Sequence, residues 1–358
     1  MSIKHSIKVF LREAYARTLF HTGLCALVDR AMPTRLTILA GHCVAPGEVD
    51  GAGTLPADMQ ISAAKLERIL RWFGARYAMT TVGEGWSALR SGKAKRSLVA
   101  LSMDDGYLDN RRVMLPLLER VQAPATVYLE SRPLDERRVN WSHKYFWLVR
   151  RMDFTQLTAR YAQLSQDQGA LRAIEKVAAA QAPDQRYHIK RALKYEADPA
   201  DRDRVIDRIF VEAGGDERAL CDELYMSWGD ARELAAAGVE LGGHTVNHVI
   251  LSRCDREGAR GEIADGARSL ASALGKPSRS FAYPWGRRWD FNAETAQIVL
   301  DSGFETAVTM HAGVNLPSTR STDLKRLAIA DDARLHLLAT EACGGFELLR
   351  RIGINLSE

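Results

Sequence analysis

The sequence predicts an α/β fold: a barrel-like series of parallel β/α units, deformed by a helical insertion. Three observations predict it. From Arg35 onward, short apolar runs that stop at polar or glycine-bearing turns alternate with segments of helical periodicity. Strand, helix and strand follow one another between residues 98 and 130, and a parallel neighbour requires such a crossover. Between about residues 140 and 225 the texture changes to Ala-, Arg-, Gln- and Asp-rich helix with little glycine.

Residues 1–34 read as an amphipathic helical segment ahead of the barrel, which takes 35–358. Ile3, Ile7, Phe10, Leu11 and Ala14 recur at helical spacing, with Lys4, Lys8, Arg12 and Arg17 between them. Arg12, Glu13 and Arg17 interrupt any apolar signal-peptide core. Two readings stand: a helix packed on the body, or a basic helix lying on an anionic membrane surface. Next, "RLTILAGHC" reads as a buried strand and "VAPGEVDGAGTLPADM" as a loop. "ISAAKLERILRWFGARY" is a helix with Ser62 as N-cap. "SLVALSMDDGY" is a strand ending in two acids and a glycine, "VMLPLLERV" a helix and "PATVYLE" a strand. The insertion, about 140–225, opens on "NWSHKYFW", an aromatic edge suited to a substrate rim. The alternation then resumes. "WGDARELAAAG" is a helix with Gly238 at its C-cap, "VELGG" a strand and "DREGARGEIADGARSLASALG" a helix. "SRSFAYP" is a strand, "NAETAQIVLDSG" a helix, and "FETAVTM" and "LKRLAI" are strands.

Composition narrows the function. The 358 residues carry a net charge of +4, with Lys and Arg mixed among Asp and Glu, which argues against a nucleic-acid partner. Five cysteines, none in C-x-x-C spacing, argue against a disulfide framework and for a reducing, cytoplasmic setting. No segment reaches the roughly 18–20 apolar residues that span a bilayer.

In a β/α barrel, chemistry sits at the C-terminal ends of the strands. Three predicted strands end in demanding residues. Asp104, Asp105 and Gly106 close the first; adjacent carboxylates repel unless a cation lies between them, although an Asp-Asp-Gly turn is common. His244 and His248 follow "VELGG"; a helix there would place both imidazoles on one face. "FAYPWG" ends the third in aromatic residues that could wall a cleft or form a buried corner. Two imidazoles and a carboxylate with open positions form a recurring catalytic metal site.

Taken in order, these segments resemble the polysaccharide deacetylase (NodB-homology) family, the family-four carbohydrate esterases. "SMDDG" is similar to that family's T-F-D-D-G motif, "HTVNH" matches H-[ST]-x-x-H in full, and "AYPWG" matches R-x-P-[YFW]-G in part. The resemblance runs from about Arg35 to Leu327 and is weakest in the insertion. It implies a deformed (β/α) barrel of the polysaccharide deacetylase type. It implies a divalent metal ion, zinc or else cobalt, nickel or iron, on Asp105, His244 and His248. Asp104 would be the general base toward the attacking water, and the Trp285 backbone N–H would hold the oxyanion. Tyr107, Tyr283, Pro284 and Trp285 would line the substrate or oxyanion pocket.

The departures are informative. Ala282 stands where the family often has an arginine that orients the catalytic aspartate, and the Asp-Trp pair that would hold that arginine is not visible near "GFETAVTM". Arg326 stands in the position of the family's proton-donating histidine, and arginine cannot donate a proton at neutral pH. Arg326 is left to hold either Asp104 or an anionic substrate group. His311, or Asp104 returning its proton, must then protonate the leaving amine. The expected function is hydrolysis of an acetyl group from an N-acetylated sugar or polysaccharide precursor, in the cytoplasm or at a membrane. The alternatives are an amidohydrolase for a non-sugar amide and an inactive carbohydrate-binding relative.

Overall fold

Leu36–Gly41 is buried along its whole length, as a strand covered on both faces must be, and it lies second in the main sheet as β1. A computed structural model describes residues 3–354 and 356, apart from 52 and 181–183. The further strands are β2 (Cys43–Ala45), β3 (Gln60–Ser62), β4 (Ala78–Thr80), β5 (Leu98–Met103), β6 (Ala125–Leu129), β7 (Glu240–Gly243), β8 (Ser280–Ala282), β9 (Thr306–Val308) and β10 (Leu327–Ala328). The main sheet is parallel, in the order β10-β1-β5-β6-β7-β8-β9, with β4 also against β5; β2 and β3 form a small separate pair. Leu324, just ahead of β10, exchanges backbone hydrogen bonds with Ala307 and Thr309, so the chain entering β10 curls the sheet back toward β9. This is the deformed barrel the sequence predicts.

The chain divides into two compact units, one of residues 1–49, 57–135 and 225–358, the other of 50–56 and 136–224. The first unit contains the barrel and both terminal helical segments. The second is helical, with Trp141–Arg151, Phe154–Leu164, Gln168–Ala179, Gln185–Tyr195, Pro199–Glu212 and Glu217–Leu224. The "NWSHKYFW" aromatics are interior to this unit rather than an edge. Trp141 packs beside Tyr145 and under the Arg202 guanidinium, and Trp147 meets the Phe210 ring edge-on at 4.9 Å.

The predicted helix after "DMQ" runs Ala63–Gly74, with Leu66, Ile69, Leu70 and Phe73 buried on one face. Ser62 stands at its N-cap, but its hydroxyl donates to Asp331 instead of capping the helix. The N-terminal segment forms Ile3–His21 and Leu24–Ala31. It packs on the body by a face other than the expected one. Tyr15, Ala16 and Leu19 lie toward the barrel's C-terminal helices, and the Tyr15 hydroxyl donates to the Gly345 carbonyl. Ile7, Phe10, Leu11 and Ala14 face outward; the side chains of Ile3 and Lys4 lie outside the described part. No helix of the described residues is long and apolar enough to cross a membrane.

Candidate metal and catalytic site

β5, β7 and β8 deliver the three motif loops to one end of the sheet. Asp104 leaves β5 with its N–H donated to the Gly41 carbonyl at the end of β1. Asp105 then takes φ 73°, a left-handed conformation uncommon for a residue with a Cβ. Gly106 follows at φ 79°, where a Cβ would come within 2.8 Å of the Leu129 side chain. The turn that presents the two carboxylates therefore requires glycine third.

The "HTVNH" segment is not a helix. It is an irregular loop with Thr245 and His248 at φ 65° and 54°. The two imidazoles meet because the loop folds back on itself, their ring centroids 5.0 Å apart. Several bonds fix it. The Thr245 hydroxyl accepts from the His248 N–H, and Ser131 and Arg132 N–H groups donate to the Thr245 and Val246 carbonyls. Glu262, on the helix Arg256–Leu274, accepts from the Val246 and Asn247 N–H groups and from the Asn247 amide. Burial raises the Glu262 pKa even against those bonds. Sequence reasoning missed Glu262, because an acid in a charged helix carries no local mark.

Asp105, His244 and His248 converge, their ligand atoms all within 4.8 Å of one another. The Asp105 Oδ1 lies 3.2 Å from His244 Nε2 and 3.3 Å from His248 Nε2, yet it is buried and accepts no aligned hydrogen bond. His244 Nδ1 is 2.7 Å from the Ala282 carbonyl, so that nitrogen donates, and in the neutral imidazole Nε2 turns its lone pair toward the carboxylate. Two acceptors facing each other in a buried place repel; a shared cation resolves the conflict. One carboxylate and two imidazoles suit a divalent metal ion. The backbone at Ala282 thus aims the first imidazole, even though its side chain supplies no arginine.

Asp104 is held from another direction. Arg326, fully buried just ahead of β10, donates from both terminal nitrogens to the two Asp104 oxygens, each at 2.7 Å. Its Nε donates to the Thr309 carbonyl at 2.8 Å, and Nη1 also reaches the Ser102 hydroxyl at 3.3 Å. Burial acts to raise the Asp104 pKa, but the guanidinium outweighs it and holds the carboxyl below its ordinary value. Of the two roles left open for Arg326, the geometry selects the grip on Asp104.

The remaining expected residues fall into place unevenly. Trp285 takes φ 64°, and its ring meets His248 edge-on at 4.8 Å, so it borders the site. Tyr107 is buried against Tyr225, with ring centroids 5.4 Å apart; burial and the Asp105 charge keep its hydroxyl protonated. Tyr283 stacks on Phe291 at 4.1 Å and donates to the Thr322 carbonyl, and Pro284 is buried beside it. Tyr107 and Tyr283 therefore brace the loops. His311 has its Nδ1 3.1 Å from Asp323 and its ring 5.8 Å from Phe291. His42, at the end of β1, was not foreseen as a site residue. It is half-buried next to the backbone that binds Asp104. The strand-end position of "AGHC" was the signal available.

Fold and site together define the class: a β/α barrel with a metal-type Asp-His-His centre and a buried, arginine-held aspartate beside it. Residues 205–307 match the polysaccharide deacetylase family model. No curated protein sequence matches the chain. Among solved structures, the fold is similar to Streptococcus pyogenes deacetylase PplD in complex with acetate, at 16% identity and TM-score 0.56, over 87% of this chain and 99% of that one. It is similar to IcaB from Ammonifex degensii, at 18% identity and TM-score 0.53, over 87% and 98%. The de-N-acetylase from Aggregatibacter actinomycetemcomitans aligns at 17% identity and TM-score 0.53, over 84% and 97%.

Proposed function

We propose that the protein is a metal-dependent hydrolase that removes the acetyl group from an N-acetylated sugar, either a saccharide or a polysaccharide precursor. The observation that carries this reading is the pairing of two devices: a buried Asp105-His244-His248 centre and, next to it, a carboxylate kept ionised by Arg326. Zinc suits the donor set, and cobalt, nickel and iron suit it as well. A divalent ion held there supplies Lewis acidity toward the acetyl carbonyl and lowers the pKa of the attacking water. Asp104 takes the proton of that water as it attacks the acetyl carbon, and the low pKa of Asp104 ensures it starts unprotonated. The Trp285 backbone N–H is assigned to the oxygen that gains charge. The C–N bond then breaks, acetate leaves, and the amine takes up a proton.

That last proton comes either from Asp104, which returns the one it took, or from an imidazole. His311 is the candidate the sequence supplies, and His42 is a second, since it follows Gly41, whose carbonyl accepts from the Asp104 N–H. Comparing His311→Ala with His42→Ala decides: the donor's loss lowers turnover by roughly 10²-fold or more and removes one limb of the pH–rate profile. A reducing compartment belongs to the same proposal, supported by five free cysteines among the described residues.

The test is acetate release from a panel of N-acetylated sugars and non-sugar acetamides, with and without a chelator. Chelator-sensitive release from sugars supports the reading. Release from the non-sugar amides alone makes the protein an amidohydrolase of another substrate class. Saccharide binding without release from any compound makes it a binding protein on a deacetylase scaffold.

A further inference from the structure

Twelve large apolar side chains are well exposed among the described residues, and eight of them lie in residues 7–27 and 352–354. The helix Ile3–His21 is the centre of this cluster. Its inner face is already satisfied: Tyr15 bonds to Gly345, Arg12 lies over the Phe346 ring, and Ala16 and Leu19 are buried. Its outer face still presents Ile7, Phe10 and Leu11 at i, i+3 and i+4, with Phe10 70% exposed. The packed helix Leu24–Ala31 adds Leu27 at 60%, and the chain after Gly345–Arg351 adds Ile352 at 71%. A surface helix normally spends its apolar stripe on the core; this one is apolar on the side turned away from it.

Charge says what covers it. Residues 1–32 contain five Lys or Arg against Glu13 and Asp29, a net +3 out of the chain's +4. Both acids are turned to internal partners, Glu13 to Arg17, Arg334 and His336, and Asp29 to Arg35. Exposed aliphatic and aromatic side chains set beside the cations Lys8 and Arg30 match a bilayer interface with anionic headgroups, where apolar groups enter the acyl boundary and cations stay at the phosphates.

We propose that this terminal face, made by Ile3–His21, Leu24–Ala31 and the segment at Ile352, docks the protein on the surface of an anionic lipid bilayer without crossing it. The proposal stands apart from the catalytic reading. The enzyme held this way works on substrate presented at that surface.

The test is cosedimentation of the full chain with vesicles of phosphatidylcholine alone or of phosphatidylcholine mixed with phosphatidylglycerol. Binding to the mixed vesicles, weak on the neutral ones and falling as salt rises, is expected. Phe10→Asp and Leu27→Asp should each lower partitioning by about tenfold or more, since each removes an inserted side chain. Both positions are exposed, so the melting temperature and acetate release from a soluble substrate should not move. Absence of binding to either vesicle overturns the proposal, as does binding that ignores both substitutions. A concentration-dependent dimer in lipid-free solution, abolished by Phe10→Asp, also overturns it and assigns the face to a second copy of the chain.

Discussion

Arg326→Met removes the guanidinium and keeps the volume of an apolar side chain. In the native protein both partners are buried, with side-chain exposures of 0% for Arg326 and 5% for Asp104. Breaking such a pair from one side costs about 3–5 kcal/mol, because the remaining charge is left alone in a low-dielectric place. Asp104 avoids that cost by taking up a proton, as its burial already urges. Asp104 starts below its ordinary 3.8, so this energy carries its titration up toward neutrality without abolishing the ionised form there. In an acetate-release assay the acidic limb of the pH–rate profile should therefore move to higher pH, with kcat falling most, by roughly 10²-fold or more, on that limb, while KM stays near the wild-type value. Arg326→Lys should lose less, since a single ammonium keeps the charge but not the two-point contact. The double variant Asp104→Asn/Arg326→Met should be no slower than either single change and should melt above both, because neither charge is then left unpaired. A raised KM with unchanged kcat in Arg326→Met would refute the reasoning and place the arginine on the substrate. Simple additivity of the two changes in kcat and melting temperature would refute it as well.

Other outcomes follow from the same geometry. His244→Ala and His248→Ala should each lose bound metal, measured by elemental analysis of the purified protein, together with activity; stoichiometric metal in both variants contradicts the assignment. Glu262→Ala frees the loop that carries both imidazoles, so metal affinity by chelator competition should fall about 10–100-fold, with the fold intact by circular dichroism. Asp109, whose carboxylate accepts from the Val44 N–H and the Asn110 amide, is pushed up by burial from 3.8 to about 6. Its folded pKa lies above the unfolded one, so the neutral form suits the fold. Stability should be full below 3.8 and decline as pH rises through about 6. Asp109→Asn should flatten that decline and be more stable than the wild type above the window, by up to about 3 kcal/mol. Equal pH dependence in the two proteins would argue against it.

Much of this was legible in the chain, and the gaps have physical causes. β5, β6 and β7 announce themselves because buried parallel strands are apolar on both faces and stop abruptly at their functional ends. The helix Val82–Arg90 was not foreseen, and Gly83 and Gly85 weaken its helical pattern. At Gly85 a Cβ would come within 2.6 Å of the Thr80 side chain, so the glycine serves close packing of helix on sheet. The "HTVNH" spacing suits a helix, but a loop with two left-handed residues brings the imidazoles together as well, and spacing cannot separate the two. The periodicity of Ile3–His21 shows that its faces differ without showing which one finds a neighbour. The partner of Arg326 was undecided for a different reason. Residues 104 and 326 are remote in sequence, and only the placement of β1 between β5 and β10 brings them together.

That distance has a consequence for a chain being made. Every residue of the Asp-His-His centre precedes position 249, and the arginine that readies the base arrives only with the last strand. A nascent or truncated chain ending before Arg326 can assemble a place for an ion while its Asp104 has no counter-charge. Such a fragment should load metal without hydrolysing substrate. Competence then arrives in a single late event, the docking of two short strand residues, Leu327 and Ala328, along Leu39 and Ala40. The last strand thus acts as a completion signal: the base is readied only once the chain through Ala328 has folded.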